Sequence, residues 1–429
     1  MPRKRQSRRT VLKTSGALSA ASIVGLAGCT GNSDGGNGSG NGNGDGEMAD
    51  EITFYNAGSL EFDQGTEANI ERFEEETGIT VNVNEVPWAN LKTSLTTIFN
   101  SQEPKVDAFN GPTWWLADFV NAGWLEPLEL SDDHMSKFPD SLVDLVSFDG
   151  DPYMAPEFGK WGTYLYDTEV VETPPDTWDE VLEMGPELSD GSRSGFGLTW
   201  ADKSVFTFKQ LLYQAGGSLF NENNEPVFAG DEGQQVMEFV TQLRDEEIIP
   251  DGISSMGEGA VGDAFIAGEF ATVESWTPLG SRAIDEWGEE RVGSARPPAG
   301  PSGRATFQDT NGISISAFSE KKAAAQRFAE FMTTRESCKN NMLVEGNPCV
   351  VPDVYEDDEI QEEYPSWLLE DMKYNLEHAM SETYIQQPQV DDYIDEQITP
   401  ALLGEKDPQT ALEDAQENVT RLYQDIGLL

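Results

Sequence analysis

Short apolar segments with strand-like alternation are interleaved along this chain with segments of helical period, and that order predicts an α/β fold built on parallel strands. Helix-start and helix-stop residues fall at the matching boundaries. The chain is 429 residues long, 38% hydrophobic and 10% aromatic, enough for a sizeable core and for two or three domains.

The first strand is read at Ile52-Thr53-Phe54-Tyr55, followed by a turn at Asn56-Ala57-Gly58-Ser59 and a helical run containing Ile70, Phe73 and Glu74. Thr77-Gly78 closes that helix, glycine being the usual residue just past a helix C-terminus. Ile79 to Val83 alternates as a second strand, Leu91 to Phe99 is helical, Val106 to Phe109 is a third strand, and Trp115 to Ala122 a helix stopped by Gly123. Thr177, with Glu180 three residues on, has the form of a capping box. Farther along, Ile313 to Ser316 reads as a strand, Lys321 to Met332 as a helix with Ala324, Phe328 and Phe331 on one face, and Thr410 to Leu422 as a last amphipathic helix. In open α/β sheets, ligands bind beyond the carboxyl ends of the strands. The loops Asn56–Ser59, Glu85–Trp88 and Asn110–Trp114 are therefore the first candidates for a site.

The amino-terminal stretch has a different character. Arg3, Lys4, Arg5, Arg8, Arg9 and Lys13 precede an uncharged, weakly apolar stretch from Thr14 to Gly28, too short for the ~20 residues a membrane-spanning helix needs. Ser7-Arg8-Arg9-Thr10-Val11-Leu12-Lys13 resembles a twin-arginine export motif, and Leu26-Ala27-Gly28-Cys29 resembles a lipobox. Residues 1–28 are accordingly expected to be a signal peptide and Cys29 the lipidated residue. Residues 29–50, rich in Gly, Asn and Ser, are expected to form a flexible tether reaching about 25 Å. Two cysteines remain beyond the leader, Cys338 and Cys349, which in an exported protein either pair or stay as buried thiols.

Charge narrows the partners. There are 27 Lys+Arg against 78 Asp+Glu, a net −51, and without the six leader bases 21 face 78, a net −57. Nucleic acid is excluded, because phosphate backbones are bound through Lys and Arg. The acids are dispersed along the chain, which suits a solvated surface in high salt, where a ~3 Å Debye length at 1 M suppresses their repulsion.

Motifs for catalysis or cofactors are absent: there are two histidines in the chain, no HExxH, no P-loop lysine and no G-x-S-x-G elbow. Gly257 to Gly262 matches G-x-G-x-x-G but follows a turn, and Glu258 would repel a pyrophosphate. No catalytic residue, metal site or cofactor is expected. Ten tryptophans are more informative, several of them at loop-like positions: Trp88, Trp114-Trp115, Trp161 and Trp276. An aromatic face covers the C–H face of a sugar or a cation, while nearby amides and carboxylates hydrogen-bond polar groups.

Several segments, in order, resemble the extracellular solute-binding proteins of ABC importers, in the branch containing maltose-binding protein: FEEETGITV at 73–81, DAFNGPTWWLADFVNAGWLEPL at 107–128, Tyr164-Leu165-Tyr166, Pro175-Asp176-Thr177-Trp178-Asp179-Glu180, Phe265-Ile266-Ala267-Gly268-Glu269-Phe270-Ala271 and Gly312 to Met332. The acidity gives the resemblance a haloarchaeal cast. It implies a two-lobed periplasmic-binding-protein fold with crossing hinge strands and a ligand cleft between the lobes. Lobe 1 would comprise 51–160 and 306–348, and lobe 2 161–305 and 349–429. It further implies a monomer that captures a sugar outside the cell and hands it to a membrane permease. Asn56, Ser59, Glu85, Trp88, Asn110 and Trp114 would line one wall, Trp161 and Trp276 the other, with Tyr384 added before Gln386-Gln387-Pro388-Gln389. Polyamine binding on the same scaffold, or a glycan-processing enzyme, are the alternatives.

Overall fold

A computed structural model describes residues 48–57, 64–201, 204–276 and 279–429, with the side chains of Trp161 and Trp276 excepted. The expected signal peptide, Cys29 and Ser59 lie outside the described residues, as does the tether up to residue 47.

Among the described residues, the strands are β1 Glu51–Ala57, β2 Thr80–Val86, β3 Ala108–Pro112, β4 Leu125–Glu126, β5 Ser147–Phe148, β6 Asp151–Pro152, β7 Ala155–Asp167, β8 Ser194–Leu198, β9 Phe270–Trp276, β10 Val292–Ala295, β11 Thr306–Ser316 and β12 Ala379–Met380, twelve in all. Ten of them form one sheet, ordered β2-β1-β3-β11-β7-β9-β8, with β10 on β7 and with β4 and β12 on β11. β1 pairs in parallel with β2 and β3, and β8 in parallel with β9. Between these two parallel groups, β11 runs antiparallel to β3 and β7, and β7 antiparallel to β9.

The two lobes follow from how β7 divides its partners. Its first half, Ala155 to Trp161, lies on β11, while Gly162 to Tyr166 lies on β9. One 13-residue strand thus leaves the first lobe and enters the second. Around β1, the first lobe buries Ile52, Phe54, Phe73, Ile313 and Phe328, with Phe328 edge-on to both Phe54 and Phe73. A neighbouring cluster holds Leu91, Phe99, Trp115, Phe119 and Met342. The second lobe has its own core of Tyr164, Phe196, Leu211, Phe265, Ile394 and Val419.

Local boundaries depart from the sequence reading in ways that matter to the site. β1, β2 and β3 each run farther than expected, so Asn56, Glu85 and Asn110 are strand residues, not loop residues. Trp88 opens the helix Trp88–Ser101, directly after Pro87, and Trp114 and Trp115 lie in a 3-10 turn before the helix Leu116–Asn121. The strands extend because polar residues at their ends find pairing partners in the sheet, which strand propensity does not report. At Thr177 the side chain accepts the Glu180 N–H, whereas Glu180 reaches back to the N–H of Asp176, one residue earlier than a standard capping box.

The sequence reading places 349–429 in lobe 2, and packing revises this. Val350, Val354, Tyr355, Ile360 and Tyr364 share the core of lobe 1. A Cys338–Cys349 disulfide ties the segment there, and the hydroxyls of Tyr355 and Tyr364 donate to the carbonyls of Cys349 and Met342. The chain also touches β7 at this point, the Gly159 N–H donating to Pro348 O. It then runs through the helix Ser366–His378, pairs β12 with the start of β11, and reaches the lobe 2 core in the helix Gln387–Leu402.

Candidate functional site

The parallel register of lobe 1 brings three of the expected residues to one level. Asn56 lies opposite Glu85, and Tyr55 opposite Phe109, so Asn110 sits beside Asn56 at the carboxyl ends of the strands. Asn56 and Asn110 are buried, Glu85 is exposed. Next to them three indoles form a group. Trp88 stacks on Trp115 with centroids 5.3 Å apart and planes 18° apart, and meets Trp114 edge-on at 6.4 Å. Trp115 is buried and forms the floor, while Trp88 remains 41% exposed and presents an open face. Gly111 makes room for the floor: a Cβ there would lie 3.0 Å from the Trp115 ring.

Crossing strand β7 supplies the adjoining surface. Lys160 Nζ lies 5.8 Å from the Trp88 ring centre and 5.7 Å from that of Phe158, within cation–π range. Opposite Lys160 in the β7–β11 register is Asp309, whose carboxylate accepts from the Thr113 hydroxyl at 2.9 Å and from the Thr310 N–H at 2.9 Å. Lys160, Asp309 and Trp115 were not singled out by sequence reasoning as site residues. The available signal for Lys160 was its rarity, one of 21 bases beyond the leader, placed beside Trp161.

The side-chain amide of Asn110 is engaged within lobe 1. Its Nδ2 donates to Glu157 Oε2 at 2.5 Å and its Oδ1 accepts from Asn311 at 3.0 Å. Asn341 donates to the other Glu157 oxygen at 3.3 Å and in turn accepts from Asn69 at 2.9 Å. This buried chain links two lobe 1 helices to both crossing strands, satisfying a carboxylate that burial would otherwise penalise.

Tyr384 likewise has its polar group and ring engaged within the fold. Its ring packs 5.1 Å from Phe220, its hydroxyl donates to Asp391, and it accepts from Lys209 Nζ at 3.2 Å. Lys209 is fully buried, 3.9 Å from Asp391 and 4.6 and 4.7 Å from the rings of Phe206 and Phe307. Burial pushes the Tyr384 hydroxyl well above its ordinary range and raises Asp391 against the lowering influence of Lys209.

On the far lobe, Trp276 ends β9 opposite Gly162, and Trp161 lies opposite Gln308, so their backbones converge at the crossing. Two residues before Trp276, Glu274 is buried opposite Tyr164, and burial raises its carboxyl to about 8. Its Oε1 has no hydrogen-bond partner among the described residues. This carboxyl is therefore mostly protonated at neutral pH. Among the described residues, no cluster of His, Cys, Asp or Glu is placed to hold a metal ion, and no helix is long and apolar enough to cross a membrane.

The arrangement can hold a small polar molecule against an aromatic face, with amides and a lysine at its edge. The family profile described as bacterial extracellular solute-binding protein matches residues 56–337. A putative binding protein of Brucella abortus is 24% identical over 273 residues, 61% of this chain and 66% of its own length, so the match spans just under two thirds of that relative. The maltotriose-binding protein of Pyrococcus abyssi is 26% identical over 134 residues, 29% of each chain. Maltose-bound MalE3 of T. maritima shares the fold with a TM-score of 0.75 at 23% identity, covering 87% of this chain and 99% of the other.

Proposed function

The chain belongs to the bacterial extracellular solute-binding protein family, and from that premise we propose that it captures a sugar or oligosaccharide outside the cell and delivers it to an ABC-type membrane permease. The observation that carries the sugar reading is the open face of Trp88, braced from beneath by Trp115 and edged by Trp114 and Lys160. A pyranose ring stacks on such a face through its C–H groups while its hydroxyls reach the polar groups around it. The names of the Pyrococcus and T. maritima proteins, maltotriose-binding and maltose-bound, support the same class. Lys160 disfavours a polyamine, since its ammonium beside the Trp88 ring would repel a second cation brought to the same face.

Binding both lobes, the ligand stabilises their closed arrangement, and the permease reads that arrangement; no turnover is involved. The leader completes the picture: twin-arginine export, lipidation at Cys29, and a tethered monomer on the outer face of the membrane in a salty medium. Ser59, Trp161 and Trp276 belong to this reading as further cleft residues.

A thermal-shift screen of the protein in about 2 M salt tests it. A sugar at 100 times its Kd adds about 2.7 kcal/mol of stability. A shift with maltose or maltotriose and none with spermidine is the expected result. A shift with spermidine or a metal salt and none with any sugar would overturn the sugar reading.

A further inference from the structure

Away from the crossing strands, the lobes meet through apolar packing of Ile284 and Trp367, which touch both cores, and through a charged group beside the aromatic site. Asp118 belongs to the helix Leu116–Asn121, whose Leu116 and Phe119 are part of the lobe 1 core, and it follows Trp114 by four residues. Its Oδ1 accepts the backbone N–H of Gln386 at 2.6 Å. Gln386 is the residue before the helix Gln387–Leu402, which is anchored in the lobe 2 core by Val390 and Ile394. The other carboxylate oxygen holds Lys92 Nζ at 3.3 Å, and that ammonium lies 5.9 Å from the Trp114 ring centre.

Three facts make this more than a surface contact. Gln386 has a left-handed backbone, φ 60°, that a non-glycine residue adopts at a cost, and no side chain caps its helix. The carboxylate from the opposite lobe supplies the negative partner that a helix N-terminus favours. The second anchor is Tyr423 of lobe 2, which donates to Ile385 O at 3.0 Å and whose hydroxyl is pushed upward by burial and by the Asp118 charge. One carboxylate therefore grips the opposite lobe with one oxygen and the Lys92–Trp114 arm of the aromatic group with the other.

The geometry points to Asp118 as a positioning residue that latches the closed form without touching ligand. A hydrogen bond that exists only when the lobes meet slows ligand escape and leaves encounter unchanged. The inference rests on the solute-binding reading for its ligand arm, and a second arm needs no ligand.

Asp118→Ala and Asp118→Asn are compared with the parent chain, each first confirmed by circular dichroism and thermal unfolding to be folded. With maltotriose as probe, Asp118→Ala is expected to raise the dissociation rate about tenfold, a change of ~1.4 kcal/mol, with the association rate within twofold. Asp118→Asn, which keeps an acceptor oxygen but loses the charge, should fall between. By small-angle scattering without sugar, Asp118→Ala should show a larger radius of gyration than the parent. If maltotriose binds no variant, the sugar reading fails while the scattering comparison still decides the latch. A dissociation rate (where sugar binds) and a radius of gyration both equal to those of the parent would overturn it, as would a loss expressed in the association rate alone.

Discussion

Replacing Glu274 by Gln should make the protein more stable in alkali and leave it nearly unchanged in acid. Glu274 is buried on β9 opposite Tyr164, and burial raises its carboxyl from 4.5 to about 8. Between those values the folded chain keeps a proton that the unfolded chain has released. Stability therefore falls as pH rises through this window, is fully present below about 4.5 and reaches its lowest contribution above about 8. At about 1.4 kcal/mol for each pH unit, the span corresponds to roughly 5 kcal/mol at most. A glutamine has nearly the same shape and no proton to lose. Denaturant unfolding of both proteins at pH 5, 7 and 9 in fixed salt gives the difference directly. Asp371, raised to about 7 by burial, adds a slope of the same sign to both curves, so the readout is their separation and not the slope of either. Curves that stay parallel from pH 5 to 9 would refute the claim that Glu274 is held protonated by the fold.

Two further outcomes follow from the site. Trp88→Ala removes the exposed half of the Trp88–Trp115 stack, and calorimetric titration with a sugar found by the screen should show affinity lowered about tenfold or more, since stacked aromatic contacts are worth ~0.5–1.5 kcal/mol beyond area burial. An unchanged Kd would remove Trp88 from the ligand's surroundings. Lys209→Met leaves the half-buried Asp391 without its cation and should cost up to about 3 kcal/mol in chemical denaturation at neutral pH, less in acid where Asp391 is protonated; a loss equal at both pH values would contradict an ionic role.

Much of the architecture was legible because it rests on local pattern. Ile52 and Phe54 alternate, Thr77-Gly78 stops a helix, and Ala324 and Phe328 share a helical face; each needs only a few neighbouring residues, and each appears in the structure close to the expected place. The parallel pairing of β1 with both β2 and β3 likewise follows from strands separated by helices. The tryptophans at the strand ends were readable as a group, and Trp88 and Trp114 do come together.

What sequence alone determined about this protein is its α/β class, its acidity and the clustering of tryptophans at the ends of the first strands, since these depend on composition and on spacings of a few residues. Only the tertiary structure decided which partners these side chains meet. Asn110 and Tyr384 have the right chemistry, yet their hydrogen bonds are taken by Glu157, Asn311 and Lys209, all distant along the chain, and by Asp391. Lys160, in contrast, reaches Trp88 because β7 passes both lobes, and Asp118 meets Gln386 across 268 residues. Long-range partners carry no local periodicity, and a buried polar group's role is set by whichever partner the fold brings to it.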